Sequence, residues 1–96
     1  MQLFVELEVF DTIMKDDDIK QVRSVFGNQL RKIMNSGKMV ANGFFLEKRG
    51  GYFILNVDSA EEALDLLGYM IEYFHIKIHP VMPFEKVPEF FSKYPY

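Results

Sequence analysis

Along residues 2–10, QLFVELEVF, apolar and polar positions alternate: Leu3, Val5, Leu7 and Val9 fall on one side, and Phe4, Glu6, Glu8 and Phe10 on the other. A period of two over this length predicts a strand with one face toward a core. Its second face carries two carboxylates. After a short polar stretch the period changes. Ile19, Val22, Phe26, Leu30 and Ile33 recur every three or four residues, with Val25 and Met34 beside them, which is the stripe of an amphipathic helix. Asp16, Asp17 and Asp18 offer this helix an N-cap and negative charge at the positive end of its dipole, and Asn35-Ser36-Gly37 ends it.

Residues 39–47, MVANGFFLE, predict a second, less regular strand, with Gly43 marking a bulge. Lys48-Arg49-Gly50-Gly51 reads as a hairpin turn, because glycine tolerates positive φ. Residues 52–57 give a third strand with Phe53, Leu55 and Val57 on one side and Tyr52, Ile54 and Asn56 on the other. Ser59-Ala60-Glu61-Glu62 is a capping box, and the helix it opens has Ala63, Leu67, Met70, Ile71 and Phe74 at helical spacing. Residues 75–81 alternate again, Ile76 and Ile78 lying opposite His75, Lys77 and His79, and Pro80 and Pro83 close the strand. The order is β-α-β-β-α-β. Two interleaved right-handed crossovers then give an α+β fold of ferredoxin-like plan: a four-stranded antiparallel sheet in the order 4-1-3-2, both helices on one face. Residues 1–96 form one domain, with a C-terminal aromatic tail from about residue 83.

Helices cover only one side of such a sheet. The other carries Phe4, Glu6, Glu8, Phe10, Tyr52, Ile54, Asn56, His75, Lys77 and His79, too apolar for a solvated face and too charged for a closed core. A second sheet would cover it, which predicts a dimeric α+β barrel and a homodimer or larger ring. The rings of Phe90, Phe91, Tyr94 and Tyr96, in a tail with no sustained period, are expected to dock on the domain or on a neighbouring subunit.

Composition narrows the functional classes. A net charge of −3 with scattered Lys and Arg argues against nucleic acid, whose phosphates need a concentrated basic face. Without cysteine there is neither a disulfide framework nor a thiolate ligand or nucleophile. No apolar run approaches the ~18 residues of a bilayer span, and no leader pattern opens the chain, so the expected location is cytoplasmic, without a membrane partner. His75 and His79, four residues apart on one strand, sit about 13 Å from each other, too far to share an ion within a chain. The aspartate run lacks the spacing of a calcium loop, and Gly50-Gly51 lacks that of a phosphate loop.

Gly51, Tyr52, Asn56, Val57, Ser59 and Glu62, in a strand ending Asn-Val-Asp-Ser before a capped helix, resemble the corresponding region of the muconolactone isomerase family. The likeness continues through the leucine-rich second helix into residues 76–80, IKIHP, and takes in the alternating first strand and the proline-containing tail. The resemblance implies a dimeric ferredoxin-like fold assembled into rings and a proton moved within an unsaturated lactone, without a cofactor. The first helix has no motif that aligns with the family.

Such chemistry needs a base to take a proton next to a carbonyl, an acid to return it at another carbon, and donors for the developing enolate. Glu6 and Glu8 on the first strand would face Lys77 and His79 on the fourth. Glu6, Glu8 and His79 are therefore the candidate catalytic groups, and Tyr52, Asn56 and Lys77 the candidate substrate contacts. Cross-strand Glu–Lys pairs are also routine sheet stabilisers. Arg23 and Arg31 belong to the solvated side of the first helix, and either would bind a carboxylate if it leaned into the cleft. Three functions remain open: a cofactor-independent isomerase acting on a small unsaturated lactone or carboxylate, a non-catalytic homo-oligomeric or small-ligand-binding module, and a small monooxygenase-like protein.

Overall fold

The structure is a computed structural model and describes residues 1–93; Tyr94 and Tyr96 lie outside the described residues. In β1 (Gln2–Val9) the alternation becomes a burial pattern, with Leu3, Val5 and Leu7 buried and the intervening residues half-buried. The chain continues through α1 (Asp16–Ser36), β2 (Met39–Phe44), β3 (Gly50–Asn56), α2 (Ala60–Leu67), a 3-10 turn (Gly68–Glu72), β4 (Phe74–Val81), a second 3-10 turn (Phe84–Lys86) and α3 (Val87–Ser92). The four strands form one antiparallel sheet in the order β2-β3-β1-β4, which is 4-1-3-2 when read from the opposite edge. Leu3, Val5, Leu7, Phe53, Leu55 and Val57 from the sheet meet Val22 and Ile33 of α1 and Ala63, Leu66, Leu67 and Met70 of the α2 region. Each of these side chains other than Ala63 stabilises the fold by roughly 1.5–3 kcal/mol. Among the described residues no helix is long and apolar enough to cross a membrane.

Several local expectations are corrected. The aspartates do not cap α1; they fill its first turn, and the N-cap position is Lys15, which makes no side-chain cap bond. A cation there also opposes the positive end of the helix dipole. Lys15→Ser should therefore raise stability by about 1 kcal/mol, read from the urea midpoint at unchanged slope. The bulge lies at Val40, the residue left over between the Met39–Leu55 and Ala41–Ile54 pairs, and not at Gly43. Gly43 instead makes room for the Tyr52 ring, since a Cβ there would stand 2.7 Å from Tyr52 Cε1.

Gly50 and Gly51 are not turn residues either. They belong to β3, paired with Glu8 and Leu7, and neither has positive φ. A Cβ on Gly50 would run into the Leu7 carbonyl oxygen and one on Gly51 into that of Gly43, so close backbone approach explains both glycines. The second helix is shorter than its periodicity implied. It stops at Gly68, whose φ of 49° and ψ of −127° suit only glycine, and Ile71 is exposed in the 3-10 turn that follows. Ile78, on the helix side of the edge strand β4, is exposed as well. Half of the capping box forms: Ser59 Oγ accepts from Glu62 N at 3.1 Å, while the Glu62 carboxylate reaches past the N-cap to accept from Asp58 N at 3.4 Å and pairs with Lys38 Nζ at 3.3 Å.

Candidate functional site

The register of β1 between β3 and β4 assembles the open face. Phe4 stands between Ile54 and His79, Glu6 between Tyr52 and Lys77, and Glu8 between Gly50 and His75. Of the six residues singled out from the sequence, three gather around Phe4. His79 Nε2 lies 3.2 Å from Glu6 Oε2, the Phe4 and Tyr52 rings stack at 5.4 Å, and His79 tilts against Phe4 at 6.0 Å. The other three lie apart. Glu8 pairs with Lys48 at 3.4 Å, across from the hairpin turn. Lys77 is directly opposite Glu6 in the ladder, yet the ion pairs of Glu6 and Glu8 go to His79 and Lys48 and not to it. Asn56 faces Gln2 at the far end of β3, exposed and about 13 Å along the strand from Tyr52.

This face has no walls in a single chain. The hollow beside Glu6, Glu8, Lys48, His75 and Lys77 measures about 30 Å³, which is the scale of a water molecule and not of a substrate. Glu6 and His79 keep 31% and 53% of their side-chain surface in contact with solvent. In that setting the pair contributes little to stability.

The larger cavity lies on the opposite side of the sheet. It encloses about 350 Å³ between α1 and the β2–β3 hairpin. Its origin is local: on the helix-facing side, the register sets Gly51 between Leu7 and Phe44, so the sheet presents bare backbone where a side chain would stand. Phe53 forms the neighbouring floor, Ile19, Val22 and Phe26 form the helical wall, and Phe74 closes one end. Phe26 is the hub of this lining, with ring centroids of Phe44, Phe53 and Phe74 at 6.3, 6.4 and 6.1 Å.

The exposed polar side chains of the cavity, at its mouth, are those of Arg23, Asn42, Lys48 and Arg49, and half-buried Tyr52 also lines it. Arg49 is committed to structure: Nη1 donates to the Ile13 carbonyl at 2.7 Å and Nη2 to that of Phe10 at 3.0 Å, tying the loop after β1 to the hairpin. Lys48 is shared between Glu8 and the face of Phe45, 4.9 Å from the ring centroid. Arg23, read from the sequence as solvated, stands exposed at the mouth without a carboxylate partner among the described residues. The neighbouring rings Phe44 and Phe45 were the available signal for this site. Consecutive strand residues face opposite ways, so one of the two had to lie on the helix side.

Among the described residues no group of three His, Asp or Glu side chains is placed to hold a metal ion. Comparison with models of known protein families finds no match, and no significant match is found among curated proteins.

Proposed function

We propose that this chain is a ferredoxin-like, homo-oligomeric module that binds a small, mainly apolar molecule carrying one negative charge. The observation that carries this reading is the cavity between α1 and the hairpin, with aromatic and aliphatic walls and cationic groups at its mouth. A volume of about 350 Å³ is at the small end for ligand pockets. The ligand fits as a ring or short chain buried in the apolar interior, its anionic group directed at Arg23. The half-buried Phe4, Tyr52 and Ile54 of the open face favour a two-fold dimer in which two such faces pack about 10 Å apart.

A second reading rests on the Glu6–His79 contact. In a dimer that shields this pair from water, Glu6 would take a proton from a carbon next to a lactone carbonyl and return it at a second carbon. The double bond then moves without any net gain or loss of atoms, as in the muconolactone isomerase family that the chain resembles.

One thermal-shift panel tests both. Short-chain fatty acids, aromatic carboxylates, their uncharged amides and unsaturated lactones are compared on the wild type, Arg23→Gln, Val22→Phe and Glu6→Gln. A cleft ligand present at about a hundred times its Kd adds about 2.7 kcal/mol, or roughly 10–20 °C in Tm for a domain of this size. The cleft reading expects carboxylates to outperform amides, Arg23→Gln to erase that difference, and Val22→Phe to abolish the response. Stabilisation by lactones that is lost only in Glu6→Gln would move the site to the open face, and an unresponsive wild type would remove the cleft reading.

A further inference from the structure

Two histidine–glutamate pairs stand on the open face, and they are built differently. Glu8 is directly opposite His75 in the ladder. Its carboxylate is nevertheless taken by Lys48 at 3.4 Å, and the His75 ring stands edge-on to Phe10 at 4.6 Å. His79 sits opposite Phe4 and leans toward Glu6 instead, bringing its Nε2 within 3.2 Å of Glu6 Oε2.

An imidazole nitrogen and a carboxylate oxygen so placed are two donors for one metal ion. With Zn–N and Zn–O bonds of about 2.0–2.1 Å, a gap of 3.2 Å corresponds to an angle at the metal of about 100–105°, close to tetrahedral. Binding displaces the proton that otherwise lies between the two atoms. Both side chains keep solvent access. Among the described residues no third His, Asp or Glu of the same chain is placed to join them. One chain thus supplies half of a four-coordinate site.

The place of this half-site in the sheet decides where the other half comes from. Phe4 and Glu6 straddle the middle of β1, and β4 spans the same levels of the ladder. A two-fold axis laid across the strands at this level, between two open faces, superposes one sheet on the whole of the other in an aligned packing. The axis then runs over the half-site itself. With the sheets about 10 Å apart, the mid-plane is within reach of an extended glutamate or histidine from either side.

The charges agree with this placement. Two glutamates closed into such a face repel each other, whereas two carboxylates and two neutral imidazoles offset the charge of one divalent ion. The Phe4 ring, stacked on Tyr52 at 5.4 Å and tilted against His79 at 6.0 Å, walls the site with apolar surface. Lys77, opposite Glu6, is exposed on the edge strand and keeps its ammonium in solvent. Mixed nitrogen and oxygen donors in a tetrahedral array suit zinc, and not magnesium or calcium, which take six or more oxygens.

We propose that a single zinc ion joins two copies of this chain through Glu6 and His79 of each, a centre on the two-fold axis that neither copy forms alone. It rests on the open-face homodimer proposed above and gives that dimer a metal clamp. To test it, the full chain is stripped with a chelator and titrated with zinc chloride by calorimetry, and its mass is followed by sedimentation equilibrium with and without zinc. One zinc should bind per two chains and lower the Kd of the dimer about tenfold or more. Cobalt(II) in place of zinc should give the intense visible absorption of a tetrahedral centre. Glu6→Gln and His79→Ala should each abolish the response, and His75→Ala on the same face should retain it. The stoichiometry and cobalt spectrum of the wild type decide the matter even if a variant fails to fold.

One zinc per chain, a response that survives in Glu6→Gln or His79→Ala, or no binding at all overturns the inference. Failure of the underlying dimer looks different. A dimer that forms in chelator and takes up no zinc keeps the homodimer and loses the clamp, whereas a chain that stays monomeric with and without zinc removes both.

Discussion

Phe53→Ala is expected to destabilise the protein by about 3–5 kcal/mol, the range for removing a large buried aromatic. The Phe53 ring is buried, lies opposite Val5 in the ladder, and forms both the core-side floor of the cleft and one of the three rings around Phe26. Its loss removes apolar burial and leaves a void that neighbours fill only partly, because the sheet beneath is fixed by pairing on both sides of β3. A typical domain has 5–15 kcal/mol of total stability, so the variant should lie near the edge of folding. Urea denaturation checks this, with Phe53→Leu as the milder comparison. A loss below about 1 kcal/mol in Phe53→Ala would mean that the floor of the cleft is already loosely packed.

Gly50→Ala should cost about 3 kcal/mol, at the upper end of the usual range for overpacking. The new methyl points at the Leu7 carbonyl oxygen, and neither group has room to yield. Gly50 is held by its own bonds, accepting from Phe45 N at 2.9 Å and donating to Lys48 O at 3.0 Å. Leu7 is held in the ladders of β1 with β3 and β4. Relief requires β1 and β3 to separate at the end where Glu6 meets Tyr52. Gly43→Ala is the instructive contrast, because its methyl meets the side chain of Tyr52, which can swing aside. Its cost should be clearly smaller, read from the same denaturation curves, and its effect should fall on the Phe4–Tyr52 stack. Equal losses in both variants would show that the backbone contact at Gly50 relaxes easily.

The features legible in the sequence were those set by local periodicity. Leu3, Val5 and Leu7 announce their face because a strand turns its side chains over every residue, and Ser59 with Glu62 marks a helix start through four consecutive residues. Gly50 and Gly51 were misread because glycine serves two ends, positive φ and close backbone approach, and the chain itself does not say which. The early end of α2 was hidden for a related reason: Leu67, Met70 and Ile71 continue a helical period that one Gly-specific conformation at position 68 interrupts. The open face was readable as a set of residues. Which carboxylate meets which cation depends on side-chain reach, and there Lys48, outside the sheet ladder, takes Glu8. The cleft was the least visible, since it follows from Gly51 standing between Leu7 and Phe44, a neighbourhood created by strand register and not by adjacency in sequence.

The bulge at Val40 and the proline at position 80 share a consequence for the borders of the sheet. They lie on β2 and β4, the two strands with an unpaired side. An extra residue disrupts the regular run of donors and acceptors on one, and a missing N–H interrupts it on the other. Both borders are thus poor templates for a further strand, the route by which exposed sheets grow into fibrils. The same two irregularities that blunt the borders leave the broad face of the sheet untouched.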